Sequence, residues 1–342
     1  FLMGYNYAKT EEQKCEEVYA GITTLVAFLI VSPLSITVGE EVIGGVIPTT
    51  YMGSQGMFVA LILCYLVAKV YCKILSSKLK IKLPDSVPPM VSSSFESLIP
   101  VIITLVLVCS INYCFTLTSF GNIHALVNEI IQKPLLLIGT GLPALLISQG
   151  LAQLLWFFGL HGDQIVGSVM DPILQTAGME NLSAYTAGDA VPYIITDQFR
   201  ALFVMIAFMS LVIAILIVSK SNRLKGVGKV AVLPATFCIS EPVVFGAPVV
   251  MNAMLFIPWV LSRPVFGLIT WLFMKFGLCP YPTGVAIPWT TPPVLSGFLA
   301  TNSIMGAVVQ IICLAIGVLM FIPFVKMIDK TYHQEEIKTK EQ

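Results

Sequence analysis

The chain alternates between long apolar runs and short polar interruptions. Val18 to Val38, Met57 to Leu75, Ile99 to Leu117, Leu135 to Phe158, Phe199 to Ser219 and Ile304 to Val325 are each apolar over about the twenty residues a helix needs to cross a hydrocarbon core. Their hydrophobicity is continuous, not alternating, which excludes the strand pattern of a membrane β-barrel. Asn122 to Lys133 reads differently. Ile123, Leu126, Val127, Ile130 and Ile131 follow the i, i+3, i+4, i+7, i+8 spacing of one helix face, with Asn128, Glu129, Gln132 and Lys133 opposite. That pattern predicts a helix lying in the interface plane. Basic clusters at Lys69, Lys73, Lys78, Lys80 and Lys82, at Lys220, Arg223, Lys225 and Lys229, and at Lys326 and Lys330 mark the cytoplasmic ends.

Two regions interrupt the pattern. His161-Gly-Asp-Gln164 leads into a short apolar piece, Ile165 to Leu174, broken by Asp171-Pro172 and followed by a polar stretch to Tyr193. Cys279 to Asn302 is rich in Pro, Gly and Thr. Non-helical backbone at membrane depth is tolerated only where protein buries it or a cavity adjoins it, so each region reads as a re-entrant hairpin. The pattern predicts an all-α polytopic membrane protein of about eight to ten spanning helices, with two re-entrant hairpins and an interfacial amphipathic helix. The opening run, Phe1-Leu-Met-Gly-Tyr-Asn-Tyr, reads as the end of an N-terminal helix whose beginning is missing. Residues 1–135 are expected to form scaffold and dimerisation helices. Residues 136–330 hold most of the polar groups and helix breakers and are expected to form a substrate-binding transport domain. Residues 331–342 read as a solvated cytoplasmic tail.

Composition agrees. The 342 residues are 56% hydrophobic and 11% charged, outside the range of soluble domains. The net charge of zero offers nothing to a nucleic-acid partner. The eight cysteines include no CxxC pair and read as small buried residues, with no metal site. No Walker A, GxSxG or HExxH sequence is present, and no cofactor is predicted.

The candidate chemistry centres on Cys238-Ile-Ser-Glu-Pro-Val-Val-Phe-Gly-Ala-Pro248. Glu241 is the only acidic residue between Asp197 and Asp329. A lone carboxylate is costly to bury, and Pro242, Gly246 and Pro248 break the helix beside it. This predicts a polar pocket at membrane depth. The competing reading is a carboxylate that caps a broken helix. His161 reads either as a helix-end histidine or, beside Trp156, Gly162 and Asp163, as part of a site. Trp289 reads as an interfacial belt residue or as an aromatic platform, with Thr290 beside it. Asp163 and Asp171 suit loop or N-cap roles as well, and Arg263 suits a snorkelling one. Aromatic faces with Glu, His, Asn, Gln and Thr are what a sugar requires, since a pyranose has an apolar C–H face and a hydroxyl rim.

Trp156-Phe-Phe-Gly-Leu-His-Gly162, Ile239-Ser-Glu-Pro-Val-Val-Phe-Gly246 and Pro288-Trp-Thr-Thr-Pro-Pro293 resemble, in that order, signature segments of the IIC membrane components of the bacterial sugar phosphotransferase system. The lactose/cellobiose/diacetylchitobiose branch fits best, and Ala8-Lys9 and Gly297-Phe-Leu-Ala-Thr301 also fit. The resemblance covers essentially the whole chain. It implies a homodimeric permease in the bacterial cell membrane that carries a β-linked disaccharide of the cellobiose or diacetylchitobiose type. It places Glu241 and His161 as catalytic groups near the hydroxyl to be phosphorylated, with Trp156 and Trp289 packing on the sugar and Asp163 and Thr290 among the substrate contacts. The phosphoryl group would come from a cysteine of a separate IIB component. Cys238 departs from the family's usual Asn. Two alternatives are an ion-coupled secondary transporter with Glu241 as proton carrier, and a membrane-embedded transferase using Glu241 and His161 as an acid–base pair.

Overall fold

Helices follow the apolar runs, but their ends are set by proline placement and by side chains that satisfy the backbone. The structure, a computed structural model, describes residues 1–10, 16–38, 41–77, 79, 81, 83–84, 87–247 and 249–341. Much of the charged turn after Lys9, together with Glu40, Lys78, Lys80, Lys82 and Pro248, lies outside the described residues. The chain divides into two units, Phe1–Pro134 and Leu135–Gln342.

In the first unit, α2 (Glu17–Val31) packs on α1 (Leu2–Thr10), α4 (Ser54–Leu75) and α5 (Pro89–Thr116), and α3 (Thr49–Met52) leads into α4. The apolar run to Val38 is not one helix. Pro33 follows α2, and Ser35–Val38 (β1) pairs antiparallel with Glu41–Gly44 (β2), from Ser35↔Gly44 to Val38↔Glu41. Ile36, Thr37, Val38, Val42 and Ile43 are β-branched and favour the strand. Helix α5 starts at Pro89, well before Ile99, because proline suits a first helical turn. Its serines find partners: Ser94 Oγ lies 2.6 Å from the Tyr19 hydroxyl, and Ser97 accepts from Tyr71 at 3.0 Å. The amphipathic stretch forms α6 (Ile123–Val127), a π-helical turn (Asn128–Gln132) and α7 (Lys133–Gly139). His124 on it is buried against Phe28 and Tyr51, with Nε2 3.2 Å from Ser32 Oγ.

In the second unit the break falls at Thr140-Gly141, ahead of Pro143, so the run from Leu135 is divided between α7 and α8 (Leu142–Phe157). Helix α9 (Gly162–Ala187) is continuous through Asp171-Pro172, where the sequence suggested a break. An interior proline costs about 3 kcal/mol, and burial of Met170, Ile173, Leu174 and Ala177 offsets it. A π-helical turn (Phe199–Val204) and a 3-10 turn (Met205–Ala207) lead into α10 (Phe208–Val218). Then come α11 (Asn222–Thr236), α12 (Glu241–Gly246), α13 (Ala253–Lys275), α14 (Leu295–Thr301) and α15 (Ile304–Glu341). Helix α13 packs between α8 and α15. The segment from 331, read as a solvated tail, continues α15 and caps α11. Asp329 accepts from the backbone N–H of Lys220 (2.6 Å) and Ser221 (2.9 Å), and Glu336 from those of Asn222 and Arg223 (both 3.0 Å).

Among the described residues, five helices are long and apolar enough to cross a membrane, or six if the bent pair Ile123–Gly139 and Leu142–Phe157 counts as one. That is fewer than eight to ten. Helix α2 is too short by itself, and α9 is too polar. Among the described residues, the regular structure is helical apart from the one hairpin.

Candidate functional site

The residues singled out in the sequence lie on two features of the second unit: the corner between α8 and α9, and the breaks that flank α12 and α14. Helix α8 ends at Phe157, and Gly159 turns the chain at φ 80. His161 is the N-cap of α9, with Nδ1 accepting the Gln164 N–H at 3.3 Å. Nδ1 is thus engaged by the backbone, which leaves Nε2 as the ring nitrogen available to another group. Its ring lies 4.4 Å from that of Trp156 at 47°. Trp156 is buried and donates Nε1–H to Asp163 Oδ2 at 2.9 Å.

Asp163 is neither a loop residue nor the N-cap. It sits in the first turn of α9 and holds a bidentate ion pair with Arg263 of α13, from Nη1 to Oδ1 and from Nη2 to Oδ2 (3.0 Å). Arg263 does not snorkel; it is 2% exposed and committed to this pair. Both Asp163 oxygens are therefore taken by protein donors. One turn back from Trp156 along α8, Gln153 donates to the Trp259 carbonyl (3.1 Å) and to Ser262 Oγ (3.3 Å), while Trp259 Nε1 donates to the Gln153 carbonyl (3.1 Å). Gln149, a turn further, is fully buried, and neither of its amide atoms has a hydrogen-bond partner among the described residues. A second ion pair on α9 joins Asp171 to Arg200.

Glu241 departs from the sequence reading. It is exposed at the first position of α12, not enclosed by apolar side chains. The chain turns before it at Cys238 (φ 61), whose Sγ lies 3.6 Å from the Thr291 carbonyl. This contact ties the Glu241 stretch to the Trp289-Thr290 loop. Beneath it, Val243, Val244 and Ala247 share one core with Trp156 and Trp259, so α12 and the end of α8 are braced by the same packing. Trp289 is exposed and Thr290 half-buried.

Polar residues that the sequence reading passed over build the rest. Asn181 is buried; its Nδ2 donates to the carbonyls of Tyr193 and Pro282 (both 2.8 Å), and its Oδ1 accepts the Tyr193 N–H (2.9 Å). Gln198 donates to the Val285 carbonyl and accepts the Gly284 N–H at 3.2 Å. Gln310 is buried within α15. It accepts from the backbone of Val294 and Gly297, and donates to the Leu202 carbonyl (2.8 Å) and Ser296 Oγ (2.9 Å). It thereby holds Val294 at φ 77, an unfavourable backbone for a β-branched residue. Gly284 (φ 81) approaches α9 so closely that a Cβ there would collide with the backbone at Gly178 and Leu182. Between α9 and these loops lies a cavity of about 580 Å³, bounded by Gln175, Asp197, Gln198, Gly284, Ile287 and Pro288 among others. A lone amide inside a long apolar run, as at Gln310, was the one available signal for these groups.

Comparison with known proteins identifies the family and the fold. The model of the family "Phosphotransferase system, EIIC" matches residues 1–262. The chain is similar to the oligo-beta-mannoside-specific EIIC component of Bacillus subtilis, at 42% identity over 96% of this chain and 76% of that protein. It is also similar to the cellobiose-specific EIIC component of Geobacillus stearothermophilus, at 37% identity over 97% and 77%. Among solved structures it matches the transporter ChbC, the IIC component from the N,N'-diacetylchitobiose-specific phosphotransferase system, with TM-score 0.93 and 35% identity over 97% of this chain and 79% of that one. On sequence and fold together, the chain belongs to the EIIC family of the phosphotransferase system, whose members are multi-pass sugar permeases of the cell membrane.

Proposed function

We propose that this permease takes a β-linked disaccharide or short oligosaccharide and translocates it with phosphorylation by a IIB cysteine. The corner of Trp156 and His161, braced with α12 by one core, is the observation that carries this reading. In the proposed complex Trp156 and Trp289 pack on the C–H faces of the sugar, and Thr290 bonds its rim. The His161 Nε2 holds the reacting hydroxyl. Glu241, exposed and unpaired with any base in the described residues, takes the hydroxyl proton as the oxygen attacks phosphorus and the S–P bond of the IIB phosphocysteine breaks. The monoester carries about −1.5 to −2 charges, which opposes return through an apolar path. The polar loops at 188–198 and 279–294 are the tips of the re-entrant hairpins, and the first unit provides the homodimer contact. The related proteins act on oligo-β-mannosides and cellobiose by name, which supports a β-linked substrate. Family membership counts against the ion-coupled alternative.

The test is a titration of the purified chain with cellobiose, mannobiose, diacetylchitobiose and maltose, followed by tryptophan fluorescence. Saturable binding of one or more β-linked sugars but not maltose, lost in His161→Ala, is expected. Binding that survives His161→Ala unchanged places the sugar elsewhere.

A further inference from the structure

The cavity of about 580 Å³ between α9 and the loops is not used by the reaction described above. Its size falls within the range of about 300–1,000 Å³ of small-molecule sites. Its lining is mixed. Met179, Leu182 and Ile287 are apolar, and Gln175 and Asp197 are polar, with Gln175 exposed to the space. Gln198 is different: its amide is occupied by Gly284 and Val285, so it shapes the wall and has little left for a ligand.

The charge of the lining narrows the ligand. Asp197 is acidic, and no Lys or Arg is among the described residues that line the cavity. A sugar phosphate or any other anion would face the Asp197 carboxylate there, whose cationic neighbour Arg200 is committed to Asp171. A neutral polyol with apolar C–H faces suits apolar walls and a carboxylate acceptor together. Position narrows it further. Pro288 lines the cavity and Trp289 follows it directly, while Thr291 of the same loop meets Cys238, three residues before Glu241. A saccharide with its reacting end at Glu241 and its next ring on Trp289 would point its far end into this space.

We propose that the cavity is a subsite for the unphosphorylated far end of a β-linked oligosaccharide, receiving a third sugar ring through Asp197 and Gln175. This rests on the sugar site proposed above, and it makes the permease one that prefers trisaccharides to disaccharides. Two hydrogen bonds to the third ring correspond to about tenfold in affinity.

The experiment uses the full chain in detergent with two probe series, cellobiose against cellotriose and mannobiose against mannotriose, measured for the wild type, Asp197→Asn and Gln175→Ala. The expected result is that, in at least one series, the trisaccharide binds about tenfold tighter than the disaccharide. The variants should remove that advantage while leaving disaccharide affinity within about twofold. Equal affinity for both lengths in the wild type overturns the subsite, as does equal weakening of both lengths by the variants. Either result leaves the disaccharide site standing. Failure of every disaccharide and trisaccharide to bind overturns the sugar site and the subsite together. Retained disaccharide binding shows that a variant is folded, and the wild-type series decides the matter if a variant is not.

Discussion

Replacing Arg263 by Met tests whether the corner between α8 and α9 is held by charge. Arg263 and Asp163 are 2% and 13% exposed in their side chains, and among the described residues the carboxylate has one other hydrogen-bond donor, the Trp156 indole. Removing one partner of such a pair leaves a buried charge uncompensated, at a cost of about 3–5 kcal/mol. Replacing both partners by neutral groups of similar shape is close to neutral, because the desolvation penalty disappears with the attraction. Arg263→Met should therefore lose about 3–5 kcal/mol, and Asp163→Asn combined with Arg263→Met should recover most of it. Unfolding of the purified chain in mixed detergent and SDS micelles measures both. The same variants report on function. With the carboxylate unpaired, Trp156 loses a fixed acceptor and the His161 ring loses its support, so sugar affinity should fall in the single variant and partly return in the double one. Arg263→Met with wild-type stability would refute the reasoning, as would a double variant no more stable than the single one.

Four further outcomes are expected. Glu241→Gln should abolish phosphoryl transfer from IIB while only weakening sugar binding; a wild-type transfer rate would remove Glu241 from the chemistry. Trp289→Ala should weaken binding by about 0.5–1.5 kcal/mol through lost ring stacking, and an unchanged Kd in the fluorescence titration would return Trp289 to the membrane interface. Gly284→Ala should destabilise by about 1–3 kcal/mol, since φ 81 is strained for alanine and the new methyl meets the α9 backbone; an unaltered unfolding midpoint would contradict that contact. Gln149→Leu should stabilise the chain or leave it unchanged, because a buried amide without partners, as Gln149 is among the described residues, is costly. A marked loss of stability would show that the amide holds a group of its own.

Much of the architecture was legible because lipid imposes a single requirement on a long segment. The run from Phe199 is interrupted only by Arg200 and Ser210, and the run from Ile304 only by Gln310, and both are helical. What escaped depends on partners distant in the chain. Nothing near Arg263 announces Asp163, a hundred positions away, and the pair reverses the snorkelling reading. Proline was over-read as a breaker at Pro172, because the packing that outweighs it lies on other helices. Pro33 and the β-branched residues after it were under-read, since a short hairpin next to an apolar run shares its composition. At the site, Trp156 and His161 were legible as neighbours through a helix end and a glycine. The burial expected of Glu241 was wrong because apolar composition says what surrounds a residue in sequence, not which way the backbone turns at Cys238.

The amide of Asn181 has a consequence for how the permease opens. It bonds Tyr193 in both directions and Pro282 as well, and Gln198 bonds Gly284 and Val285. Loops that are separated in the chain by the whole of α10 to α13 are thus joined by buried amides. Leaving a buried donor or acceptor without a partner costs about 1–3 kcal/mol each. A gate that swung one loop while the other stayed still would have to break several of these bonds at once. The inexpensive motion carries both loops as one rigid body, so access to the sugar would change by displacement of the pair, not by opening a gap between them.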